Sequence, residues 1–465
     1  MRRMRFLAAA LFVATAASVY GQQVGWLVKP EWVRAHEEFL ASDVMSGRGS
    51  ATRDEEIAAT YVAAQFMAYG LKPAPGMAGY LQSAEIDAPI LDGHASLSVG
   101  GVNLAEGQDF HLLIASGANA AGPVRRVSAG DLPHLQPMKG AVILMDRLEK
   151  PTTSVQAVNV LRRSGAAVIV VVEDDSTVKI ATMLGGKTRT PIALKEQAGA
   201  GRAGATVMSV TAEAMARLTA AAGAGEAKLT VRQVPMATRK TFNAIGYLEG
   251  LEPKSGTILL TAHLDHLGVG TPVNGDGIFN GANDDAAGTT AVLELAHAMG
   301  SQPRTKRNVL FVCYGSEEAG ELGSTFFGEH PPVPIKELVT NLEFEMIGNQ
   351  DPKMPKGVLL LTGWERSNLG PTLKAHGALL GPDPYPEEHY FERSDNYALA
   401  LKGLVAHTAA GWGSPPTYHQ PSDDIEHLDL QFMTAAIQSL VEPVRWLADS
   451  DFTPEWNKGG KPERQ

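Results

Sequence analysis

Five positions spread over the second half of the chain carry side chains that hold divalent metal: His263, Asp284, Glu318, Glu345 and His419. Imidazole and carboxylate are both zinc donors, and a hydrolytic zinc keeps about three protein ligands plus a place for water. Two such ions roughly 3.5–4 Å apart need a carboxylate that reaches both. Asp284 can bridge, with His263 and Glu345 completing one set and Glu318 and His419 the other. Glu317 stands next to Glu318 in an irregular loop, where successive side chains diverge, so it can face the water as general base. Asp265, two residues past His263, can accept a hydrogen bond from the free imidazole nitrogen and fix the tautomer. Each group alone has an ordinary explanation, since strand-end histidines are often structural, Asp/Asn/Gly loops are often turns and Glu pairs often start solvated helices. Their co-occurrence points to a site for two Zn²⁺.

The elements that must bring these groups together are legible around them. TILLTAHLDH ends in His263 and Asp265, NVLFVCYGSEE in Glu317 and Glu318, and LVTNLEFEMIG carries Glu343 and Glu345. Between the first two runs, NGDGIFNGANDDAAG delivers Asp284 and Asp285 to the start of a helix, and YHQPSDD places His419 after a last run, GLVAHTAA. From Thr241 onward apolar strand, polar loop and helix alternate, which predicts a mixed, mostly parallel α/β sheet sandwiched by helices. In such sheets ligands bind outside the carboxyl ends of the strands. Upstream, Pro30 to Pro73 reads as two helices separated by a GRGS turn. Residues 86–233 read as short β-type runs with glycine-rich turns around a helical SVQAVNVLRRSG, the pattern of a small β-rich domain. AGAGRAGA, near Gly199, reads as a loop. The expected division is a leader over 1–21, a helical part over 22–90, an insert over 91–235, the metal-binding domain over 236–450 and a disordered tail over 451–465.

Composition narrows the classes of partner. With 465 residues, 44% hydrophobic and 20% charged, the chain is of ordinary globular type. Its formal net charge of −11 becomes more negative still without Arg2, Arg3 and Arg5, which argues against nucleic acid as a partner. Residues 1–21, MRRMRFLAAALFVATAASVYG, have the basic start, apolar run and small residues of a secretory signal. No later apolar run approaches the roughly 20 residues of a membrane span, so export to periplasm or medium is expected, with no membrane partner after the signal is removed. The single cysteine, Cys313, lies in an apolar run and reads as a buried small hydrophobe.

The ordered set HLDH, NGDGIFNGANDDAAG, EEAGELGS, NLEFEMIG, RSDN and YHQPSDD closely resembles the secreted di-zinc exopeptidases that include bacterial leucyl-type aminopeptidases and glutamate carboxypeptidases. The resemblance covers about Thr241 to Leu447, and SGRGSATRDEEIAATYVAAQFMAYGLKP is similar to that family's amino-terminal helices. It implies a zinc-dependent exopeptidase fold, a bridging Asp284 with a cis Asp284–Asp285 peptide, and Glu317 as the base. The insert resembles a protease-associated domain through GAVILMDR and SGAAVIVVVEDD, with an implied role in substrate access. The chain departs from the family at three points: Glu345 stands where aspartate is usual, Asn396 stands where histidine is commoner, and the expected oxyanion-stabilising tyrosine has Tyr390 as its nearest counterpart. Glu343 competes with Glu345 as ligand, but Glu345 is in register with the family's carboxylate before Met-Ile-Gly.

The resemblance implies release of terminal residues from peptide substrates by a two-metal-activated water, in an aminopeptidase before a carboxypeptidase or dipeptidase. Acidic groups suit a substrate α-amine, whereas an arginine such as Arg393 suits a carboxylate. Cyclisation of amino-terminal glutamine, which uses one zinc, is an alternative on the same fold. A catalytically inactive binding module is another, and it should have lost ligands or the base.

Overall fold

A computed structural model describes residues 26–87, 89–116, 119–150, 152–183, 190, 192–197, 204–223, 225–234 and 238–463. The expected signal over 1–21 and most of AGAGRAGA lie outside these residues.

The larger sheet has nine strands. Its centre is four parallel strands in the order Ala406–Ala410, Leu338–Glu345, Thr257–His263 and Asn308–Tyr314. Arg239–Leu248 flanks them antiparallel on one side and Leu359–Leu361 on the other. Every residue of Thr257–His263 and Asn308–Tyr314 is buried, as expected for parallel strands covered on both faces. The pleat sorts their side chains. Ile258, Leu260, Ala262, Val309, Phe311 and Cys313 enter one core, under the helices Pro30–Leu40, Arg53–Ala68, Ala287–Gly300 and Leu430–Asp449. Leu259, Leu310, Val312 and Tyr314 enter the other, beside Leu322–Glu329 and Asn396–Ala400. Cys313 is a free, buried thiol.

Among the described residues the second sheet has eight strands, drawn from 96–230. Val168–Val172 is buried throughout, with Val168, Val170 and Val172 on one core and Ile169 and Val171 on the other. Three helices, Ser154–Leu161, Asp175–Met183 and Ala212–Ala221, accompany it. This unit is inserted between two neighbouring strands of the larger sheet, because Leu81–Asp87 before it pairs antiparallel with Arg239–Leu248 after it. A short ladder of Ile90–Leu91 with Gln233–Val234 closes the stem. The segment also reaches back, since Ala193–Leu194 adds an edge strand beside Leu81–Asp87; a boundary by residue number alone does not capture this.

The tail corrects an expectation. The Pro, Gly and charge of 451–465 predict disorder, yet its described residues, 451–463, are held in place. Trp456 packs on Phe391 and His407 and donates its indole N–H to Gly403 O (3.2 Å). The Asn457 amide donates to Arg366 O at 2.8 Å. One aromatic anchor with backbone pairing outweighs a polar composition. Among the described residues no helix is long and apolar enough to cross a membrane.

Candidate metal centre

The parallel register decides which side chains meet. His263 closes its strand opposite Tyr314, and Glu345 closes its strand opposite Ala410, so the segments that follow emerge at one edge. His263, Asp284 and Glu345 form one cluster there, with ligand atoms mutually within 4.8 Å, and His266, Asp284 and Glu318 form a second. Asp284 belongs to both. Its Oδ1 lies 3.2 Å from His263 Nε2 and its Oδ2 lies 3.2 Å from His419 Nε2. Glu318 Oε1 is 3.2 Å from His419 Nε2 and 2.9 Å from His266 Nδ1. Four of the five expected ligands are therefore gathered around the fifth, the buried Asp284, and His266 joins them.

The donors are aimed at space and not at each other. Both ring nitrogens of His263 and His266, His419 Nε2 and Glu318 Oε1 are buried without a hydrogen bond, despite these short approaches. A buried polar group left unpaired costs about 1–3 kcal/mol, so such a concentration fits groups that share a cation. Imidazole with carboxylate is a zinc donor set, and the residues present fit zinc.

Backbone hydrogen bonds hold the loop that carries Asp284. Asp423 accepts the amides of Asn283 (2.9 Å) and Asp284 (3.0 Å), and its carbonyl accepts the Ala282 amide (3.0 Å). Gly281 enters the loop at φ 63, where a Cβ would collide with Asp284 O and the His266 ring. The Asp284–Asp285 peptide is cis. Asp285 turns away from the cluster and accepts the amides of His263 (3.2 Å), Gly288 (2.9 Å) and Met346 (3.0 Å), so it positions two of the three ligand-bearing strand ends.

The two carboxylates of LVTNLEFE separate cleanly. Glu345 joins His263 and Asp284, whereas Glu343 accepts the Asn396 amide and Thr408 Oγ1. Asp265 differs from its expected role. It lies 3.8 Å from His263 Nδ1, beyond hydrogen-bond reach, and accepts instead from Ser50 Oγ (2.6 Å) and the Glu317 amide (2.9 Å). It thus ties the Glu317–Glu318 loop to the segment after His263. Burial, opposed by His263 but reinforced by Glu318, Asp395 and Glu345, pushes the Glu317 carboxyl well above the usual range. Burial works against ionised Asp284 too, but His263 and His419 hold it well below that range.

Tyr390 and Arg393 line a cavity of about 40 Å³ together with Glu345, Met346, Leu360 and Tyr418. The Tyr390 hydroxyl pairs with Ser414 Oγ at 2.8 Å. Tyr418 stacks on His419 with ring centroids 3.8 Å apart.

Several residues of the centre had no assigned role in the sequence. His266 is the second histidine of HLDH and Asp423 lies in YHQPSDD, so their proximity to ligands was a usable signal. Arg48 and Glu55 had none. Arg48 is fully buried and donates to Leu264 O, Leu40 O, Asn280 O and Gly281 O. Glu55 accepts Ser316 Oγ (2.7 Å), Thr241 Oγ1 (2.8 Å) and the Ala51 and Phe242 amides.

Imidazoles and carboxylates converging on one buried Asp at the carboxyl edge of a parallel sheet, with a further carboxylate beside them, define a metal-dependent hydrolase. Residues 243–442, which hold all the proposed ligands, match the model of Peptidase family M28, and the chain is a metallopeptidase. The probable lipoprotein aminopeptidase LpqL of Mycobacterium tuberculosis is 23% identical over 398 residues, covering 75% of this chain and 72% of its own. The solved aminopeptidase of Aneurinibacillus sp. strain AM-1 superposes with a TM-score of 0.55 at 18% identity, covering 94% of this chain and 98% of its own. BSAP, a zinc aminopeptidase from Bacillus subtilis, gives 0.55 at 19% identity with the same coverage. At these identities the two structures establish the fold.

Proposed function

We propose that the chain is a zinc aminopeptidase that holds two ions across Asp284 and uses Glu317 as general base. The observation that carries this reading is the double approach to Asp284, one oxygen 3.2 Å from His263 and the other 3.2 Å from His419. His263 and Glu345 would hold one ion; Glu318 and His419 would hold the other, with His266 beside them. Bound zinc supplies Lewis acidity and a water whose pKa falls from 15.7 towards about 7.

The protein's own groups do the rest. Glu317 takes the proton of the attacking water and returns it to the leaving nitrogen as the C–N bond breaks, so no covalent enzyme intermediate is required. Asp265 and Glu55 fix the loop that presents it. Glu345, beside the small cavity lined by Met346 and Leu360, offers negative charge to a substrate α-amine, and that cavity receives the first side chain. Tyr390 and Arg393 are proposed to touch substrate there. The peptide is the partner, the insert is proposed to be a protease-associated domain that shapes access, and export by the leader is proposed to deliver the enzyme to periplasm or medium.

Two experiments test this. Release of a terminal residue is compared on amino-blocked and carboxy-blocked peptides; cleavage of the amino-blocked form alone rejects an aminopeptidase in favour of a carboxypeptidase. Glu317→Gln is expected to retain two zinc per chain by metal analysis while turnover falls roughly 10²–10⁴-fold. One zinc per chain in the wild type would favour the cyclase alternative.

A further inference from the structure

A cleft of about 700 Å³ runs from the metal centre to the insert. Clefts of roughly 300–1,000 Å³ enclose small ligands, so this one suits a peptide of a few residues. Its inner wall is acidic, with Glu317, Glu318 and Glu321; its outer wall carries two guanidinium groups, Arg162 and Arg239, with Ile114 and Ile192.

The two arginines come from different units. Arg162 follows the helix Ser154–Leu161 in the insert, and Arg239 opens the strand Arg239–Leu248 opposite Ile86. Among the described residues neither has an ion-pair partner, whereas other arginines of the insert do: Arg126 pairs with Asp146 at 2.9 Å and Arg217 with Asp109 at 2.8 Å. Both side chains are exposed to the cleft's solvent. In a chain of net charge −11, Arg162 and Arg239 are the arginines among the described residues lining this cleft. Guanidinium is also the group that binds carboxylate in bidentate fashion.

We propose that Arg162 and Arg239 receive a carboxylate on the leaving side of the substrate, which makes short peptides with an anionic end the preferred class. The inference rests on the aminopeptidase reading. It orients the substrate across the site, α-amine near Glu345 and carboxylate at the insert, and gives the insert a direct part in selection. The carboxylate is either the peptide's carboxyl terminus or an acidic side chain.

The test uses the zinc-loaded full chain and five probes: Leu-Ala-Ala as free acid and as amide, Leu-Ala-Asp amide, Leu-Ala-Asn amide, and leucine p-nitroanilide. The free acid is expected to exceed its amide by about fivefold or more in kcat/KM, mainly through KM. The gap should shrink with added salt and close to within about twofold in the Arg162→Gln, Arg239→Gln double variant. A gap between the Asp and Asn amides, with none between acid and amide, assigns the arginines to side-chain recognition instead of the terminus. Equal rates within both pairs in the wild type, or gaps that survive in the double variant, overturn the inference while p-nitroaniline release leaves the aminopeptidase reading standing. Absence of leucine or p-nitroaniline release from every probe overturns both.

Discussion

Arg48→Met tests how the ligand-bearing segments are held. The guanidinium is fully buried and donates to Leu264 O at 2.9 Å, Leu40 O at 2.5 Å, Asn280 O at 2.6 Å and Gly281 O at 2.8 Å. Leu264 lies between His263 and Asp265, and Asn280–Gly281 begins the loop to Asp284, so one side chain ties two ligand segments to the first helix. Methionine keeps much of the apolar stem and removes every donor. An unsatisfied buried carbonyl costs about 1–3 kcal/mol. Four of them, offset by relief of the buried charge that already lowers the arginine's pKa, suggest a loss of about 3–4 kcal/mol. Replacing a buried charge by an apolar group is often neutral where its partner is replaced too; backbone carbonyls cannot be replaced. Against a typical total stability of about 5–15 kcal/mol the loss is large. Urea unfolding of zinc-loaded protein measures it through the midpoint at unchanged slope. Competition with a chelator should show weaker zinc retention in folded Arg48→Met, and Arg48→Lys should recover part of both. A cost below about 1 kcal/mol with unaltered zinc retention would refute the reasoning.

Other outcomes follow from the same structure. Chelation should abolish activity and lower Tm, because zinc bound to the native state alone stabilises it by about 2.7 kcal/mol at one hundred times Kd; activity should return on adding zinc. Gly281→Ala should reduce zinc affinity and stability together, since its Cβ meets Asp284 O and His266, and equal metal content and Tm in the variant would contradict this. Buried His407, bonded to Ser367 Oγ (2.7 Å) and Thr362 O (2.8 Å), is held down to about 4 by burial. Its folded pKa is depressed, so the stability it contributes is present above about 6.5 and is lost as pH falls towards 4, at up to about 1.4 kcal/mol per unit. Urea midpoints at pH 4.5 and 7 should differ less in His407→Asn than in the wild type. Ending the chain after Asp451 removes Trp456 and should cost about 2–4 kcal/mol, read by thermal unfolding; an unchanged Tm would show the tail to be dispensable.

The candidate cluster was legible because chemistry and periodicity coincide. Apolar runs that terminate in His263, Glu317–Glu318 and Glu345 mark strands by composition and metal donors by residue type, and the loop to Asp284 is marked by glycine and asparagine. The insert was legible as a change of character between Ile86 and Gln233, but its return to the larger sheet through Ala193–Leu194 was not, because two residues carry no period. The tail's composition is that of a disordered segment, while the Trp456 indole and backbone hydrogen bonds to Arg366 and Asn368 hold it in place.

Residue types and their order along the chain determined which groups are able to bind metal and that strands would carry them. Tertiary structure alone decided that His266 reaches Glu318, that Asp265 serves the Glu317 amide instead of the His263 ring, that Glu343 turns to Asn396 while Glu345 joins His263 and Asp284, and that Arg48 anchors both loops of the candidate centre. The Arg48 contacts, at 2.6–2.9 Å, join segments more than 200 residues apart in sequence, and Asp265 and Glu343 meet their partners across 52 and 53 residues. Hydrogen bonds need such short distances, and no local pattern encodes pairings so far apart in sequence.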